Sequence, residues 1–282
     1  MTERLPITKT YKLAIDGKFP RTESGRTTAV NDAGNKLVAH VCRASRKDVR
    51  DAVEAAGKAF GGWSSSTAYL RGQILYRLAE MMEGKRGELA NAIGHGGEHE
   101  VNAAIDRVVH FAGWTDKFPQ VLGNANPVAG PYHNFTIPQP MGVVGVIAPD
   151  TPSLLGLVSL VAPVIAAGNC CVVLASETNP IPSMVLAEAL ATSDLPGGVV
   201  NTLTGFRGEL VEHFASHRGI IAIHAAGVDD DQRTSLRLGA ADNFKRVTIR
   251  EGVDFSDEAA CEGIGWIEPF VEFKTIWHPS AC

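Results

Sequence analysis

The sequence predicts an α/β fold with a Rossmann-like parallel sheet and helices on both faces. Residues 141–203 carry the prediction, because they run strand, helix, strand, helix, strand with short links at glycine and proline. This is the pattern of parallel βαβ units. The strands are nearly all apolar, as strands are when helices cover both faces of their sheet. Two further strands, an apolar one at residues 220–223 and another at residues 245–249, extend the pattern.

The segments ahead of this stretch predict a turn and several helices. Asp16-Gly17 suits a tight turn in a short hairpin over residues 11–25. Ser45 followed by Asp48 is typical of a capped helix start, and the apolar residues that follow keep a helical period until Gly61-Gly62. Other helices are predicted over residues 68–85, 101–117, 154–167, 183–191, 207–216 and 229–241.

Composition excludes several classes of function. The chain has 282 residues, 45% of them hydrophobic and 20% charged, which is ordinary for a globular protein. Its formal net charge of -5 gives no basic footprint for nucleic acid and no polybasic patch for a membrane surface. No apolar run is long enough to span a bilayer. The five cysteines are scattered, so we expect no disulfide framework and a reducing, cytoplasmic location.

No metal site is expected. His95 and His99 have a spacing that places two imidazoles on one side of a helix, but the glycines between them disfavour a helix and no third ligand is evident. We therefore predict an ordinary exposed loop there. The sequence has no pair of cysteines in the CxxC pattern of zinc sites.

Several phrases, taken in order, resemble the NAD-binding half of the aldehyde dehydrogenase superfamily. They are the PMGVVGVIAP of residues 140–149, the AP and AAGN of residues 162–169, the LPGGVVN and TG of residues 195–205, and the KRVTI of residues 245–249. The resemblance implies one NAD-binding-type domain, with residues 1–131 as its N-terminal helical part and residues 142–252 as its Rossmann-like sheet. It also implies an oligomerisation arm made of residues 132–148 and 268–279.

The catalytic domain of that family is missing, and residues 253–267 are predicted to be a short linker in its place. Cys261 is the cysteine in this interval, but its surroundings do not match the family's nucleophile, and we interpret it as an incidental thiol. The slot of the family's essential glutamate holds Arg250, and Glu251 would point to the opposite face of an extended strand. Thr151 stands near the position of the oxyanion-holding asparagine, in PDTP instead of PWNFP. We predict no catalytic residue.

The cofactor contacts that the resemblance implies are eroded. The residual candidates are Ile147, Pro149, Ser176, Glu177, Gly205 and Gly227. The family's KPSE reads Ala175-Ser176-Glu177 here, which keeps the acid that meets a ribose hydroxyl but loses the lysine. An added methyl at Ala226 and three acids at 229–231 both disfavour a pyrophosphate. We expect no tightly bound cofactor and at most weak NAD binding.

The arm is predicted to begin as a hairpin, with residues 133–140 returning along residues 142–148. The closing residues, 270–277, alternate like a strand and resemble the family's C-terminal strand, which crosses to a partner subunit. The interface residues predicted from the arm are Phe135, Ile137, Phe270, Val271, Phe273, Thr275 and Trp277. An exposed strand of this kind needs a pairing partner. We expect a full-length aldehyde dehydrogenase or a second copy of this chain, the alternative being that the strand packs within its own chain.

Three hypotheses for function follow. The first is a non-catalytic family member that serves as a structural or regulatory subunit of an active aldehyde dehydrogenase, similar to the non-catalytic second half of two-part members of the superfamily. The second is an NAD-dependent aldehyde dehydrogenase that is active only with a partner subunit. The third is a module that senses a nucleotide or an aldehyde, which a cofactor-dependent thermal shift without turnover would distinguish from the first.

Overall fold

The computed structural model describes residues 7–32 and 34–280. Its elements follow the chain in this order: β1 (Lys9–Tyr11), β2 (Thr27–Asn31), β3 (Leu37–Cys42), α1 (Arg46–Ser65), α2 (Ala68–Gly84), α3 (Arg86–Ile93), α4 (Gly97–Trp114), α5 (Phe118–Leu122), β4 (Asn124–Ala125), β5 (Tyr132–Pro140), β6 (Val143–Ile147), α6 (Leu155–Ala166), β7 (Cys170–Leu174), α7 (Ile181–Leu190), β8 (Val200–Leu203), α8 (Arg207–Ser216), β9 (Ala222–Ala226), α9 (Asp230–Asn243), β10 (Arg246–Arg250), α10 (Glu258–Cys261) and β11 (Val271–Pro279).

The central sheet is parallel throughout and has the order β10-β9-β6-β7-β8. This confirms the predicted fold class. Every residue of β6, β7 and β9 is buried, which explains why these strands are continuous apolar runs instead of alternating ones. The strand order reverses between β6 and β9, and the carboxyl ends of all five strands lie at one edge of the sheet. We call that edge, with the residues following each strand, the carboxyl edge.

Local sequence signals explain several elements. Ser45 caps α1 through a capping box with Asp48, as its spacing predicts. Asp16 and Gly17 have φ values of 57° and 68°, and Ile15 and Lys18 exchange both backbone hydrogen bonds across them. A two-residue turn with positive φ at both positions matches the twist of a hairpin. Asp229 caps α9 with Gln232 as its partner.

The helices cover the sheet in layers. Helix α6 is buried at every position, and it contacts β6 and β7 on one side and α4 and α2 on the other. Helix α1 packs on β7 and β8 and contacts α8, which in turn packs against α9. A second, small sheet with the order β1-β3-β2 lies within the region predicted as helical.

The predicted hairpin of the arm is wrong. Strand β5 pairs antiparallel with β11, from Tyr132 opposite Pro279 to Pro140 opposite Val271, and short β4 lies on its other side. Strand β6 instead enters the parallel sheet, because its side chains are apolar on both faces and would be exposed on an arm. Gly142, at φ 142°, lies between the two strands.

Smaller boundaries also differ from the predictions. Helix α1 continues through Gly61-Gly62 to Ser65, and α4 begins at Gly97, so His99 is helical instead of lying in a loop. Both shifts reflect tertiary packing that overrides the low helix propensity of glycine. Residues 253–267 contain α10 and one complete 3-10 turn, and their Phe255, Trp266 and Ile267 are buried. Among the described residues, no helix combines the length and apolarity that a membrane span requires.

Candidate functional site

The carboxyl edge brings all six predicted cofactor residues together. Ile147 ends β6 and Pro149 follows it, Ser176 and Glu177 follow β7, Gly205 follows β8, and Gly227 follows β9. In open α/β sheets, ligands bind outside the carboxyl ends of the strands where the strand order reverses. Here that point lies between β6 and β9. It is therefore the first place to look for a bound nucleotide.

Arg207 crosses this point. Its Nη2 donates to the carbonyl oxygen of Ala148 at 2.6 Å, and its Nη1 donates to the carbonyl oxygen of Gly227 at 2.9 Å. The two carbonyls follow β6 and β9, so the guanidinium joins the two strand ends. The residue is only 6% exposed. Sequence reasoning missed Arg207, although a lone arginine directly after Gly205-Phe206 at the start of a helix was a visible signal.

Asp150 completes this arrangement. Its Oδ1 lies 3.1 Å from Arg207 Nη2 and accepts hydrogen bonds from Ser176 Oγ at 3.0 Å, Glu177 N at 2.8 Å and Thr178 N at 3.2 Å. The carboxylate thus fills the backbone turn that follows β7. Asp150 belongs to the PDTP of residues 149–152, and sequence reasoning did not anticipate these structural partners.

Three helix starts at this edge already hold a carboxylate of the chain. Glu100 Oε1 accepts from the amides of Leu154 and Leu155 at 2.7 and 3.1 Å, at the start of α6. Glu177 Oε2 accepts from Arg207 N at 2.7 Å, at the start of α8. Asp229 Oδ1 accepts from Gln232 N at 2.8 Å, at the start of α9. Helix N-termini are the usual anion sites of such folds, and here the protein supplies the anions itself.

The two predicted glycines pack against their own chain. Gly227 has φ 64°, and a Cβ there would lie 3.2 Å from Pro149 Cα. A Cβ on Gly205 would lie 3.0 Å from Leu210 Cδ1 and 3.4 Å from Ala44 N. A side chain at either position would therefore lie in tight contact with the chain itself, which explains the glycines without a ligand.

The cavity next to Glu177 is small. It measures about 90 Å³, and its lining includes Ser176, Glu177, Gly205 and Phe206 together with residues of β2. Pockets for drug-sized ligands measure roughly 300–1,000 Å³. A wider cleft of about 640 Å³ lies between the small sheet and α3, and His95 is part of its exposed rim. Within residues 7–32 and 34–280, no group of three His, Cys, Asp or Glu residues is arranged to hold a metal ion.

Arg250 occupies the slot that the resemblance assigns to a catalytic glutamate. Its Nε donates to His224 Nε2 at 3.1 Å, its Nη2 donates to Gly265 O at 3.1 Å, and its guanidinium lies 4.0 Å from the Trp266 ring centre. Burial lowers the pKa of Arg250 below its ordinary value. The side chain thus ties the end of β10 to the linker, and it offers no base.

His224 is the buried partner of Arg250. Burial first, and the charge of Arg250 second, hold the pKa of His224 well below its ordinary value. The neutral ring donates from Nδ1 to Leu160 O at 2.9 Å and accepts from Arg250 at Nε2. Phe270 packs against this ring at a centroid distance of 4.5 Å. Such a histidine is a packed core residue and has no free nitrogen for proton transfer.

No described thiol is suited to nucleophilic attack. The four cysteines that the structure describes, Cys42, Cys170, Cys171 and Cys261, are all buried. Cys261 Sγ donates to Asp254 O at 3.4 Å, and burial raises the pKa of its thiol despite the nearby Arg107. A nucleophilic cysteine needs the opposite shift. Thr151 lies in an exposed turn, and Glu251 forms an ion pair with Arg233 at 2.9 Å.

The linker is held by a buried arginine. Arg107 of α4 is 1% exposed and donates to Ser159 Oγ at 2.6 Å, Phe255 O at 3.1 Å and Glu262 Oε1 at 3.2 Å. These bonds fix both halves of residues 253–267 against α4 and α6. The segment is therefore packed into the core, and the prediction of a plain connecting linker missed this packing.

The predicted interface residues do not share one surface. Phe270 and Val271 are buried in the chain's own core, which corrects their assignment to an exposed interface. Phe273, Thr275 and Trp277 lie on one face of the arm, and the Trp277 ring contacts that of Tyr132 at a centroid distance of 5.8 Å. Phe135 and Ile137, opposite Ile276 and Lys274, lie on the other face, because strand residues alternate.

Comparison with known proteins gives a consistent family. Residues 19–254 match the aldehyde dehydrogenase family. The mitochondrial benzaldehyde dehydrogenase of Antirrhinum majus is 31% identical over 259 residues, which cover 88% of this chain and 48% of that protein. Retinal dehydrogenase 2 of Mus musculus is 31% identical over 280 residues, covering 91% of this chain and 54% of that protein.

A solved structure gives the same result. The NAD+ complex of aldehyde dehydrogenase from Bacillus cereus superposes with a TM-score of 0.78 at 28% identity, and the match covers 85% of this chain and 50% of that one. The chain spans about half the length of the curated relatives it matches.

Proposed function

The chain belongs to the aldehyde dehydrogenase family, and from that premise we propose that it is a non-catalytic member that acts as a structural or regulatory subunit of an active aldehyde dehydrogenase. The predicted family membership is confirmed; the subunit role is a proposal.

One observation carries the proposal. Twenty residues separate β10 from β11, and the described structure of that interval is a four-residue helix with short 3-10 turns packed on α4 and α6. This interval is where the resemblance places a whole catalytic domain. In its place, Arg250 and Trp266 stack on each other and Cys261 is buried. Among the described residues, we find no suitable group at the positions that the resemblance assigns to the nucleophile, the general base and the oxyanion donor.

The contacts at the carboxyl edge favour the proposal that this chain binds a cofactor weakly or not at all. The Bacillus cereus relative is described as an NAD+ complex. In this chain, Arg207 spans the corresponding reversal point of the sheet, and carboxylates already accept from the exposed amides at the helix starts. A pyrophosphate would have to displace these internal bonds and would meet the charges of Asp150 and Glu177. The energy needed for that displacement opposes binding.

The arm supports association. Strand β11 is the edge strand of its sheet among the described residues, and Phe273 and Trp277 on it are 46% and 59% exposed. Exposed edge strands with large apolar side chains favour pairing with another chain. We infer that the partner is a full-length aldehyde dehydrogenase, with a second copy of this chain as the alternative.

The test is to purify the untagged protein from its own cells and identify co-eluting chains by mass spectrometry. We expect a full-length aldehyde dehydrogenase at a fixed ratio. Trp277→Asp should release it, whereas Tyr76→Asp, which changes a similarly exposed aromatic residue (55%) on α2, should not. Recovery of this chain alone as a homo-oligomer would contradict the heteromeric role.

A second measurement addresses the catalytic alternative. The assembly is assayed with NAD and an aldehyde, with and without this chain. Turnover that requires a residue of this chain at the carboxyl edge would favour the hypothesis of a partner-dependent dehydrogenase. Turnover that survives substitution of Arg250 and Cys261 would agree with the non-catalytic role.

A further inference from the structure

Two histidines lie directly opposite each other on the arm. Strand β5 pairs antiparallel with β11, and the register places His133 of β5 opposite His278 of β11. Ser280 N donates to Pro131 O at 2.8 Å, so the pairing of the two strands continues beyond this row. Residues directly opposite in an antiparallel pair point to the same face of the sheet, with Cβ atoms about 4.5–5.5 Å apart. The two imidazoles are therefore neighbours on one face, and we call them the histidine pair.

The ring nitrogens of the histidine pair are available to a ligand. Both residues are exposed, and neither imidazole has a hydrogen-bond or ion-pair partner among the described residues. The His133 ring contacts the Phe135 ring at a centroid distance of 5.2 Å, a contact that orients the imidazole without using its nitrogens in a hydrogen bond. By contrast, His110 and His224 both use ring nitrogens in hydrogen bonds with other parts of the chain.

The surroundings of the histidine pair on this face are apolar. The neighbouring row consists of Phe135 opposite Ile276, and the charged residues Lys274 and Glu272 lie farther along β11. No cation of the adjacent row therefore opposes a bound metal ion. Within the described part of the chain, no group of three His, Cys, Asp or Glu residues is arranged to hold a metal ion. The histidine pair thus supplies two ligands, which form half of a tetrahedral site.

Two imidazoles select a particular class of metal ion. Imidazole nitrogen suits Zn²⁺, Cu²⁺ and Ni²⁺, whereas Mg²⁺ and Ca²⁺ prefer oxygen ligands. Zn–N bonds measure about 2.0–2.1 Å, so two neighbouring rings can reach one ion placed between them. The remaining coordination positions are then open to water. Because one ligand lies on each strand, a bound ion links β5 to β11.

We propose that the histidine pair binds one divalent transition-metal ion of the zinc, copper and nickel class, through one ring nitrogen of His133 and one of His278. Sequence reasoning considered His95 and His99 instead, because residues far apart in the chain become neighbours only through strand pairing. The inference does not depend on the proposed subunit role, since both ligands belong to this chain and binding is measured on this chain alone.

Zinc binding by the untagged full chain tests the proposal. Every protein carries Cys282→Ser, so that a thiol outside the described residues does not bind the ion. Calorimetry near pH 7.5, in a buffer that does not bind metals, measures stoichiometry and affinity. We expect one zinc ion per chain. His133→Ala and His278→Ala should each bind zinc roughly tenfold or more weakly, because each variant loses one of the two ligands.

The double variant His95→Ala/His99→Ala is the matched control. It also removes two exposed histidines, but these do not lie opposite each other on paired strands. We expect it to bind zinc as the unsubstituted chain does. Mg²⁺ is the control for the metal and should give no binding heat.

Amide hydrogen exchange gives a second readout. Zinc should slow exchange in residues 131–135 and 276–280, because the ion links the two strands. It should have no such effect in His278→Ala, where one end of the link is missing. Without zinc, the two proteins should exchange alike in these segments, which shows that the substitution itself leaves the arm folded.

Several results would overturn the proposal. Absence of zinc binding, or unchanged affinity in either single variant, would show that the two histidines do not share an ion. A loss of the same size in His95→Ala/His99→Ala would place the zinc elsewhere. Slower exchange of the arm with zinc in His278→Ala would show that the ion does not link the strands through this residue. None of these outcomes alters the co-purification test of the subunit role.

Discussion

The guanidinium carbon of Arg250 lies over the ring of Trp266, 4.0 Å from the ring centre. The pair joins the last strand of the parallel sheet to the segment of residues 253–267. Because Arg250 also donates to buried His224, a single side chain connects β10, β9 and the linker. The position that the resemblance assigns to a catalytic glutamate is here a structural contact.

Arg250→Glu should therefore not restore catalysis. The change removes the cation–π contact and places a carboxylate beside the acceptor nitrogen of His224. We expect the free energy of unfolding to fall by about 2–4 kcal/mol, as when one partner of a partly buried polar network is lost. Chemical denaturation measures it, and an assay with NAD and an aldehyde should show no turnover. Arg237→Glu, at an exposed arginine of α9, is the control. Full stability of Arg250→Glu would contradict the structural role.

His224 should make stability depend on pH. Its pKa is lowered in the folded protein, mainly by burial, so below about pH 6.5 the unfolded chain binds a proton that the native chain does not. The free energy of unfolding should then fall as pH decreases through 6.5, by up to about 1.4 kcal/mol per pH unit from this group, and level off above that pH.

Denaturation series between pH 5 and 8 measure this slope. His224→Asn should be less stable at every pH. Its free energy of unfolding should depend less steeply on pH, because unfolding then takes up about one proton fewer. An identical slope in His224→Asn and the wild-type protein would refute the assignment.

Arg207→Ala should be among the more damaging single substitutions at the carboxyl edge. It leaves the carbonyls of Ala148 and Gly227 without their donor and Asp150 without its cation. We expect a loss of about 2–4 kcal/mol, reduced from the fully buried case because Asp150 is partly exposed. Arg43→Ala breaks a partly exposed pair with Glu209 and should cost clearly less stability than Arg207→Ala. Similar losses in the two variants would mean that Arg207 does not hold the strand ends together.

Phe270 and Phe273 are three residues apart, but alanine substitution should affect a different property at each. Phe270 is buried against His224, and its replacement by alanine should cost about 3–5 kcal/mol in stability. Phe273 is 46% exposed, so Phe273→Ala should leave stability nearly unchanged and weaken association instead. Melting temperature and analytical ultracentrifugation measure the two effects. Loss of stability in Phe273→Ala, with association intact, would exclude it from the interface.

Cys261 should resist alkylation in the native protein. Its thiol is buried, and burial raises its pKa, so little thiolate forms near neutral pH. Native treatment with iodoacetamide followed by peptide mass spectrometry should leave Cys261 unmodified, while the same treatment in denaturant should label it fully. Rapid native labelling of Cys261 would reopen the catalytic alternative.

The arm illustrates where sequence reasoning stopped. Alternation in residues 270–277 predicted a strand, and β11 is present. Alternation does not specify which strand is the neighbour, and β11 pairs with β5 across more than a hundred residues. Only the pairing register shows that Phe135 and Phe273 lie on opposite faces. Phe270, one residue before the strand, was grouped with it although it is a core residue.

The sequence by itself determined the parallel sheet, because burial on both faces requires continuous apolar strands between short Gly- and Pro-rich links. It also determined the family, because the family's phrases are a matter of residue identity and order. Only the tertiary structure decided which side chains meet at the carboxyl edge. Arg207, Asp150 and Glu100 act at the carboxyl edge through hydrogen bonds with residues 20 to 59 positions away. Such bonds depend on which distant segments of the chain meet in space, and the local sequence pattern does not predict those contacts.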